Sequence, residues 1–300
     1  MSPLYSHFKE FKLDQNMRTD PGELQFSEYI LKLGEGKEDN FKEINESSVK
    51  IPDQYLVPDR DTLIQKVFPN LENSGADAAD YVEGTIYTPL NKNMLNINSV
   101  CIARFPGEKK TYISYDTILQ EDQRDALPEE FLNSLTPSGM PDNKLILKEG
   151  APVMLLRNLQ AGPDSSLRDG TRMIVKQLMK RTIECEVAVG TNRGNRVFLP
   201  RIPMYDRSNE FPFTLVRRQF PVRLAFAVTI NKGQGQENQR VGIYLPEPVF
   251  THGQLYTAFS LGKRGGNVSD YLFLLKTTKK ASLTILCIKN FYSLTSWLSY

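Results

Sequence analysis

The sequence predicts an α/β fold in which a small antiparallel β-barrel is inserted into a domain built on a parallel sheet. A strand, a helix and a second strand follow one another over residues 84–118, and this order is the unit of an α/β sheet. Short β-rich runs begin at about residue 151, and the α/β pattern returns after residue 225. The length of 300 residues suits two domains of about 150 residues each.

The first part of the α/β domain is predicted from apolar spacing and turn residues. Leucines and isoleucines at helical spacing predict short helices near 23–33 and 61–68. The run GTIYTP predicts a strand over 84–89 that ends at a proline, and KTYISYDTI predicts a further strand over 110–118. Between these strands a helix is predicted, with one apolar face formed by Met94, Leu95, Ile97 and Val100.

The barrel and the second part of the α/β domain follow from the runs after residue 150. APVMLLRNL, TRMIVKQLM, RTIECEVAV and RVFLPRI predict four strands separated by turn clusters. Later, VGIYLP and DYLFLLK predict strands, and THGQLYTAFSL predicts a helix with Thr251 as its N-cap. We therefore assign 1–149 to the α/β domain (the sheet proper from about 84), 150–220 to the barrel, and 221–300 to the rest of the α/β domain, with an atypical tail from about 265.

The near-neutral net charge of +2 conceals a strong asymmetry along the chain. The net charge is −10 over residues 1–150, +7 over 151–225 and +5 over 226–300. Arginine supplies most of the positive charge in the middle segment, and its planar fork matches phosphate geometry and stacks on bases. From charge alone, a polyanionic partner stays open against a solvated basic face or internal pairing with the acidic half.

Composition excludes several classes of protein. A chain with 40% hydrophobic and 24% charged residues is neither disordered nor collagen-like. No run approaches the ~18 apolar residues of a membrane span, so no membrane partner is expected. Cys101, Cys185 and Cys287 are far apart, which favours buried thiols over a zinc site. We expect no metal site.

The sharpest motif is FPVRLAFAVTINKGQGQ over residues 220–236. Physically it is an apolar element that ends in a polar loop in which Gly233 and Gly235 allow a close approach of the backbone to a ligand. Lys232 offers a point charge for a phosphate, although a solvated polar turn is the alternative. The loop is not a Walker A loop, since GxxxxGK[ST] occurs nowhere in the chain.

This motif resembles motif V of the PIF-one family of DNA helicases of superfamily one, most closely the Helitron transposon branch. Further strings resemble the family in order and spacing up to about residue 260. They are LDQNMRTDP (13–21), YTPLN (87–91), FLNSLTPSGMPDNKLILKEGAPVMLLRNL (131–159), DGTRMIV (169–175), VFLPRIPM (197–204), LVRRQFPVRLAFA (215–227) and VGIYLPEPVFTHGQLYTAFS (241–260).

The resemblance implies a RecA-like second motor domain, called 2A, with a small barrel domain, called 2B, inserted in it. It implies single-stranded DNA as the partner, and a nuclear protein with a role in DNA repair or recombination. It also implies site residues. DNA contacts are expected from Thr88, Asn91, Arg157, Arg172, Thr229 and Lys232, coupling to the nucleotide from Gln234, Gly235 and Gln236, and a γ-phosphate contact from Arg18.

The sequence departs from the family pattern at the nucleotide site. The Walker A and B residues that hold ATP and Mg²⁺ in the family do not occur, so we expect neither to bind productively to this chain alone. A first motor domain, separate or encoded upstream, would have to supply them. Related motifs VI read like HGQLYVALSR, whereas Leu261 stands here at the position of the arginine finger. Gly233 and Glu237 replace the serine and threonine that are usual in motif V.

The expected function is therefore that of a fragment of an ATP-dependent 5′–3′ DNA helicase that binds single-stranded DNA without its Walker A and B motor domain. The alternative is a non-catalytic DNA-binding or accessory remnant of a transposon helicase. His252 has no nucleophile or metal partner in the sequence and is expected to orient its helix. Two interpretations of the tail after 265 stay open: a packed strand and helix, or sequence from outside the original reading frame.

Overall fold

The computed structural model describes most of the chain between residues 55 and 261 and parts of both ends. The described residues are 9, 24–35, 48–49, 51, 55–75, 78–120, 127–162, 165–206, 208, 210–236, 238–251, 253–261, 271–275 and 283–284.

A five-stranded parallel sheet forms the centre of the α/β domain. The strands lie in the order β16, β3, β17, β18, β2, and each pairs in parallel with its neighbours. All five residues of β3 are buried, as expected for a strand that is covered on both faces of the sheet. The strands are β2 (Leu56–Val57), β3 (Gly84–Thr88), β16 (Ala227–Thr229), β17 (Arg240–Leu245) and β18 (Tyr271–Leu275).

Helices pack on this sheet. The N-terminus of α2 is capped by the Asp59 side chain, which accepts a hydrogen bond from the Thr62 amide. Asn98 on α4 ties that helix to β16, because its side chain donates to the Ala227 carbonyl and accepts from the Ala227 amide, both at 2.9 Å. The helices are α1 (Leu24–Glu35), α2 (Arg60–Val67), α3 (Ala78–Glu83), α4 (Asn91–Arg104), α6 (Ile230–Gly233) and α7 (Gln254–Ser260).

The inserted part is antiparallel β structure. Its main sheet has the strand order β12, β11, β10, β7, β15, and a second sheet has the order β13, β14, β5. The inserted antiparallel β domain is thus present as predicted, but among the described residues no strand pairing closes its sheets into a barrel. The strands of the main sheet are β7 (Pro152–Leu155), β10 (Arg172–Leu178), β11 (Thr182–Val187), β12 (Arg196–Pro200) and β15 (Val222–Leu224).

The smaller elements complete the chain. The three-stranded sheet contains β5 (Tyr115–Ile118), β13 (Ile202–Tyr205) and β14 (Leu215–Gln219). The two-stranded pairs are β1 (Ser48–Val49) with β19 (Leu283–Thr284), β4 (Lys110–Ile113) with β6 (Lys144–Leu147), and β8 (Leu159–Gly162) with β9 (Ser165–Leu167), and one further helix is α5 (Glu129–Ser134).

Two local predictions are wrong for physical reasons. The run 110–118 forms two strands, β4 and β5, which pair antiparallel with β6 and β14 and are absent from the parallel sheet. Their burial alternates, as in half-exposed antiparallel strands, in contrast to the uniformly buried β3. The N-cap of α7 is Gly253 with φ of 67°, and the predicted cap Thr251 lies two residues earlier. The predicted strand YLFLL is confirmed as β18.

The two parts of the molecule share one hydrophobic core. Phe226 lies between the host sheet and the insertion, with ring centroids 5.6 Å from both Phe68 and Phe105. The same cluster of buried residues reaches Ile86 in β3 and Val187 in β11. Cys101 and Cys185 are free and lie in this cluster, where burial raises the pKa of each thiol to about 12. The prediction of buried thiols is thus confirmed for these two cysteines.

Candidate nucleic-acid interface

Two threonines lie side by side where two neighbouring parallel strands end. Thr88 is the last residue of β3, Thr229 is the last residue of β16, and the two are direct partners in the register. Thr88 is fully buried, and its hydroxyl has no hydrogen-bond partner among the described residues. Thr229 is half-buried and makes no side-chain capping bond to α6. Ligands of open α/β sheets bind at this carboxyl edge, so the half-buried Thr229 hydroxyl is well placed for one, whereas the Thr88 hydroxyl beside it has no accessible surface in this structure.

Helix α4 begins three residues beyond Thr88, at the same edge. Asn91 is its first residue and is exposed, and Leu90 before it provides no side-chain cap. The first amides of a 14-residue helix therefore face the edge without a capping side chain, which suits an anionic ligand. The second residue of α4, Lys92, forms an ion pair with Glu247 at 2.5 Å.

The motif V loop lies against the ring of Tyr87. A Cβ atom on Gly233 would lie 2.2 Å from Tyr87 Cε1 and 3.0 Å from Leu261 Cδ1, so no side chain fits at this position. Gly233 in place of the usual serine is therefore matched to the buried Tyr87 ring. Gly235 has φ of +85°, which favours glycine, and lets the loop turn back toward β17.

The polar side chains of this loop face the insertion. The Lys232 ammonium lies 2.8 Å from Asp169 Oδ2, and 44% of the Lys232 side chain is exposed. Gln236 Nε2 donates to the Gly170 carbonyl at 3.4 Å, and its Oε1 is buried without a partner among the described residues. Gln234 is exposed. The loop after β9 thus contacts motif V at two points.

A cavity of about 420 Å³ adjoins this contact on the side of the insertion. Arg157 lines it, half-buried, and its Nη1 donates to the carbonyls of Gly139 and Leu156 at 3.1 and 3.0 Å. The remaining lining residues are Ser138, Leu156, Asn158, Asp169 and Ser208. Asp169 therefore lines the same cavity as Arg157 and also pairs with Lys232.

Arg172, predicted to contact DNA, has an internal role instead. Its side chain is only 2% exposed and reaches from β10 into the host domain. Nη1 donates to Thr85 Oγ1 at 2.5 Å and to Asn238 Oδ1, and Nη2 donates to the carbonyls of Gly84 and Ala225 at 3.1 and 3.3 Å. A side chain this buried, with both terminal nitrogens bonded inside the protein, is not presented to a DNA backbone.

A buried polar network extends from Arg172 to the motif V loop. The Asn238 side chain accepts from Arg172 and donates to the Tyr87 hydroxyl. Burial raises the pKa of Tyr87 to about 12, so the phenol stays neutral, and burial also lowers the pKa of Arg172. Sequence reasoning missed Asn238, Tyr87 and Asp169, because their partners lie 63 or more residues away in the chain.

Leu261 is buried at the position that corresponds to the arginine finger. It is 1% exposed and packs in the cluster that contains Ile230 and Phe259, and its carbonyl accepts from the Asn238 amide at 3.3 Å. The position thus faces the core of the host domain. Arg18, Glu237 and His252, which also entered the sequence predictions, lie outside the described residues.

Other classes of site receive no support from the part of the chain that the structure describes. Within it, no group of three or more histidine, cysteine, aspartate or glutamate side chains could hold a metal ion. No helix within the same residues is long and apolar enough to cross a bilayer.

Comparisons with known proteins fit this geometry. Residues 130–178 match the family described as DNA helicase Pif1, 2B domain. The chain is 31% identical over 119 residues to the ATP-dependent DNA helicase PIF6 of Trypanosoma brucei brucei. This aligned segment covers 39% of this chain and 15% of that protein. The chain is 24% identical over 194 residues to the ATP-dependent DNA helicase Pif1 of Campylobacter jejuni, which covers 62% of this chain and 42% of that protein.

A solved structure shows the same fold. The Pif1 helicase from Bacteroides, in complex with ADP-AlF3 and ssDNA, superposes with a TM-score of 0.52 at 19% identity over 88% of this chain and 51% of that chain. The resemblance to Pif1-like helicases is confirmed, as is the RecA-like domain 2A with its 2B insertion. The chain spans less than half the length of the two relatives.

Proposed function

We propose that this Pif1-like chain binds single-stranded DNA along the carboxyl edge of its parallel sheet, with domain 2B as one wall of the site. The observation that carries the proposal is the convergence of polar groups at that edge. Thr88 and Thr229 are register partners, and Asn91 opens the next helix there. Lys232 extends the same surface toward the insertion. Hydroxyls, amides and a lysine are groups that commonly contact phosphates.

Charge supports the same partner. The residues that build the insertion and the motif V loop come from the half of the chain with net charges of +7 and +5. The arginines of this half that are exposed or half-buried, Arg157 among them, remain available to a polyanion, whereas Arg172 and Arg217 are fully buried. A Bacteroides Pif1 helicase has been solved with ssDNA bound, which supports single-stranded DNA as the ligand.

We propose ATP-driven DNA translocation as the activity to which this surface contributes. Gln234, Gly235 and Gln236 are the residues that we assign to coupling between DNA and nucleotide, because they continue directly from Lys232 around the exposed turn. ATP and Mg²⁺ would be held by a domain with Walker A and B residues, which this sequence does not contain.

The second candidate function is that of a DNA-binding protein without ATPase activity, and the burial of Leu261 favours it. A leucine at this position supplies no positive charge to a transferring phosphoryl group. We therefore expect no DNA-stimulated ATP turnover from the purified 300-residue chain. Robust turnover would contradict this reading and would point to a nucleotide site that the motifs do not reveal. Helitron ancestry, a nuclear location and a role in repair or recombination stay predictions.

DNA binding is tested by fluorescence anisotropy with a labelled oligothymidine between about 50 and 200 mM salt. We expect Lys232→Ala to weaken binding several-fold and to reduce the slope of log affinity against log salt by about 0.7. Asn91→Ala should also weaken binding.

Lys66→Ala is the matched control. Lys66 is exposed in the last turn of α2. That turn lies at the opposite edge of the sheet, since a Cβ on Gly84, the first residue of β3, would lie 2.8 Å from the Val67 carbonyl oxygen. Equal loss in the control and the Lys232 variant, or no binding at low salt, would overturn the proposal.

A further inference from the structure

Asp169 and Lys232 form an ion pair across the boundary between domain 2B and motif V. The two charged groups are 2.8 Å apart, and their side chains are 36% and 44% exposed. The Lys232 ammonium is the group to which the proposed function assigns a DNA phosphate. In this structure it is held by a carboxylate of the same chain.

The Asp169 carboxylate is presented by a turn that several hydrogen bonds hold in place. Its amide donates to Asn158 Oδ1 at 2.8 Å, and the Thr171 amide and hydroxyl both bond the Arg168 carbonyl, at 3.0 and 2.7 Å. Gly170 has φ of +89°, and its amide donates to the Leu155 carbonyl at 2.9 Å. The next residue after the turn is the buried Arg172. The acid is therefore fixed by the fold of 2B, whereas Lys232 carries the flexible side chain.

A carboxylate and a phosphate compete for the same donor. A lysine ammonium is a compact point charge, and an oxygen of either anion fills the same position at 2.8 Å. Asp169 also lines the cavity that contains Arg157, so its negative charge shares this surface with the two cationic side chains, Arg157 and Lys232, that the proposed function makes available to DNA. Bound DNA would have to displace the carboxylate from Lys232 and would gain affinity if the carboxylate were neutral.

We propose that Asp169 is an intramolecular competitor for the DNA backbone, through which domain 2B sets the affinity of motif V for single-stranded DNA. The proposal rests on the proposed role of Lys232 in DNA binding. Asp169 is a positioning residue here, since it acts on DNA through Lys232.

The test is a double-mutant cycle on anisotropy with oligothymidine. Asp169→Asn keeps the shape of the side chain and removes its charge, and we expect it to tighten binding about two- to fivefold at low salt, the range of an exposed ion pair. In a Lys232→Ala background the same substitution should change affinity much less, because the competed group is gone. A purely structural role of Asp169 would not produce this dependence on Lys232.

Glu186→Gln is the matched control. Glu186 pairs with Lys176 at 3.4 Å, both side chains are about equally exposed, and both lie in domain 2B away from motif V. The Glu186→Gln substitution should leave the affinity for oligothymidine unchanged, and circular dichroism should show that all variants are folded.

The outcomes separate the two proposals. If Lys232→Ala leaves affinity unchanged, the proposed role of Lys232 fails. If Lys232→Ala weakens binding but Asp169→Asn matches the unmodified chain, only the competitor proposal fails. Weaker binding by Asp169→Asn would show that the acid orients Lys232 for DNA, which also overturns the proposal.

Discussion

Gly233 packs directly against the ring of Tyr87, because a Cβ atom on the glycine would lie only 2.2 Å from Tyr87 Cε1. Tyr87 is fully buried and hydrogen-bonded to Asn238, so the ring has no free space into which it could move. The departure from the family serine at Gly233 is therefore a steric necessity in this chain.

Gly233→Ser should lower the free energy of unfolding by about 1–3 kcal/mol, the usual cost of overpacking a filled core. Urea denaturation of the full chain measures it. Gly235→Ser on the open side of the same loop is a useful comparison, because nothing lies within 4 Å of a Cβ there and any cost would come from its positive φ alone. A stable Gly233→Ser variant would show that Tyr87 can leave its position.

Arg172→Met should lower the free energy of unfolding by about 3 kcal/mol. The methionine leaves the Gly84 and Ala225 carbonyls and Asn238 without their buried donor. The measurement is urea denaturation together with the salt dependence of DNA binding under native conditions. If the residue contacted DNA, as the sequence predicted, the slope against log salt would fall, and we expect it to stay unchanged.

Leu261→Arg, which restores the family residue, should destabilise the chain by at least about 3 kcal/mol without creating ATP turnover. The position is 1% exposed in an apolar cluster, so the guanidinium would be buried without a partner. Leu261→Met, which conserves volume, should cost less than about 1.5 kcal/mol. Thermal unfolding compares the two variants. Equal stability would mean that an arginine can reach solvent from this position.

Asp142→Asn should stabilise the chain at neutral pH. Burial raises the pKa of Asp142, although Arg223 and Arg217 oppose the shift. The folded state therefore favours the protonated acid, and stability is highest below the unfolded pKa and falls as pH rises through the folded pKa. The asparagine mimics the neutral form, so its advantage over aspartate should grow from acidic to neutral pH. Urea denaturation at several pH values measures this; an advantage that shrinks with rising pH would contradict the sign.

Local patterns were sufficient for the elements whose burial follows from short-range sequence. The apolar run before Pro89 predicted β3, and the spacing of Met94 and Ile97 predicted α4. Local patterns failed where a strand pairs with another strand that is distant in the sequence. Nothing near residue 115 indicates that β5 pairs with β14, about a hundred residues later.

The candidate site shows the same division between local and distant information. Thr88, Thr229 and Lys232 are predicted as contacts because they belong to contiguous motifs, and the register pairs the two threonines at one edge of the sheet. Arg172 was predicted as a DNA contact from the family resemblance and the arginine-rich character of the insertion. Its burial depends on Asn238, 66 residues later.

The common core around Phe226 has a consequence for anyone who handles this chain as separate parts. Excising residues 150–220 as an autonomous module would divide the hydrophobic cluster that contains Phe105, Ala151 and Phe226. It would also separate β14 from its antiparallel partner β5, which lies outside the excised segment. Both pieces would expose aromatic rings to solvent and would be expected to aggregate. Expression designs, domain swaps and gene fusions should therefore keep the host sheet and the insertion together in one polypeptide.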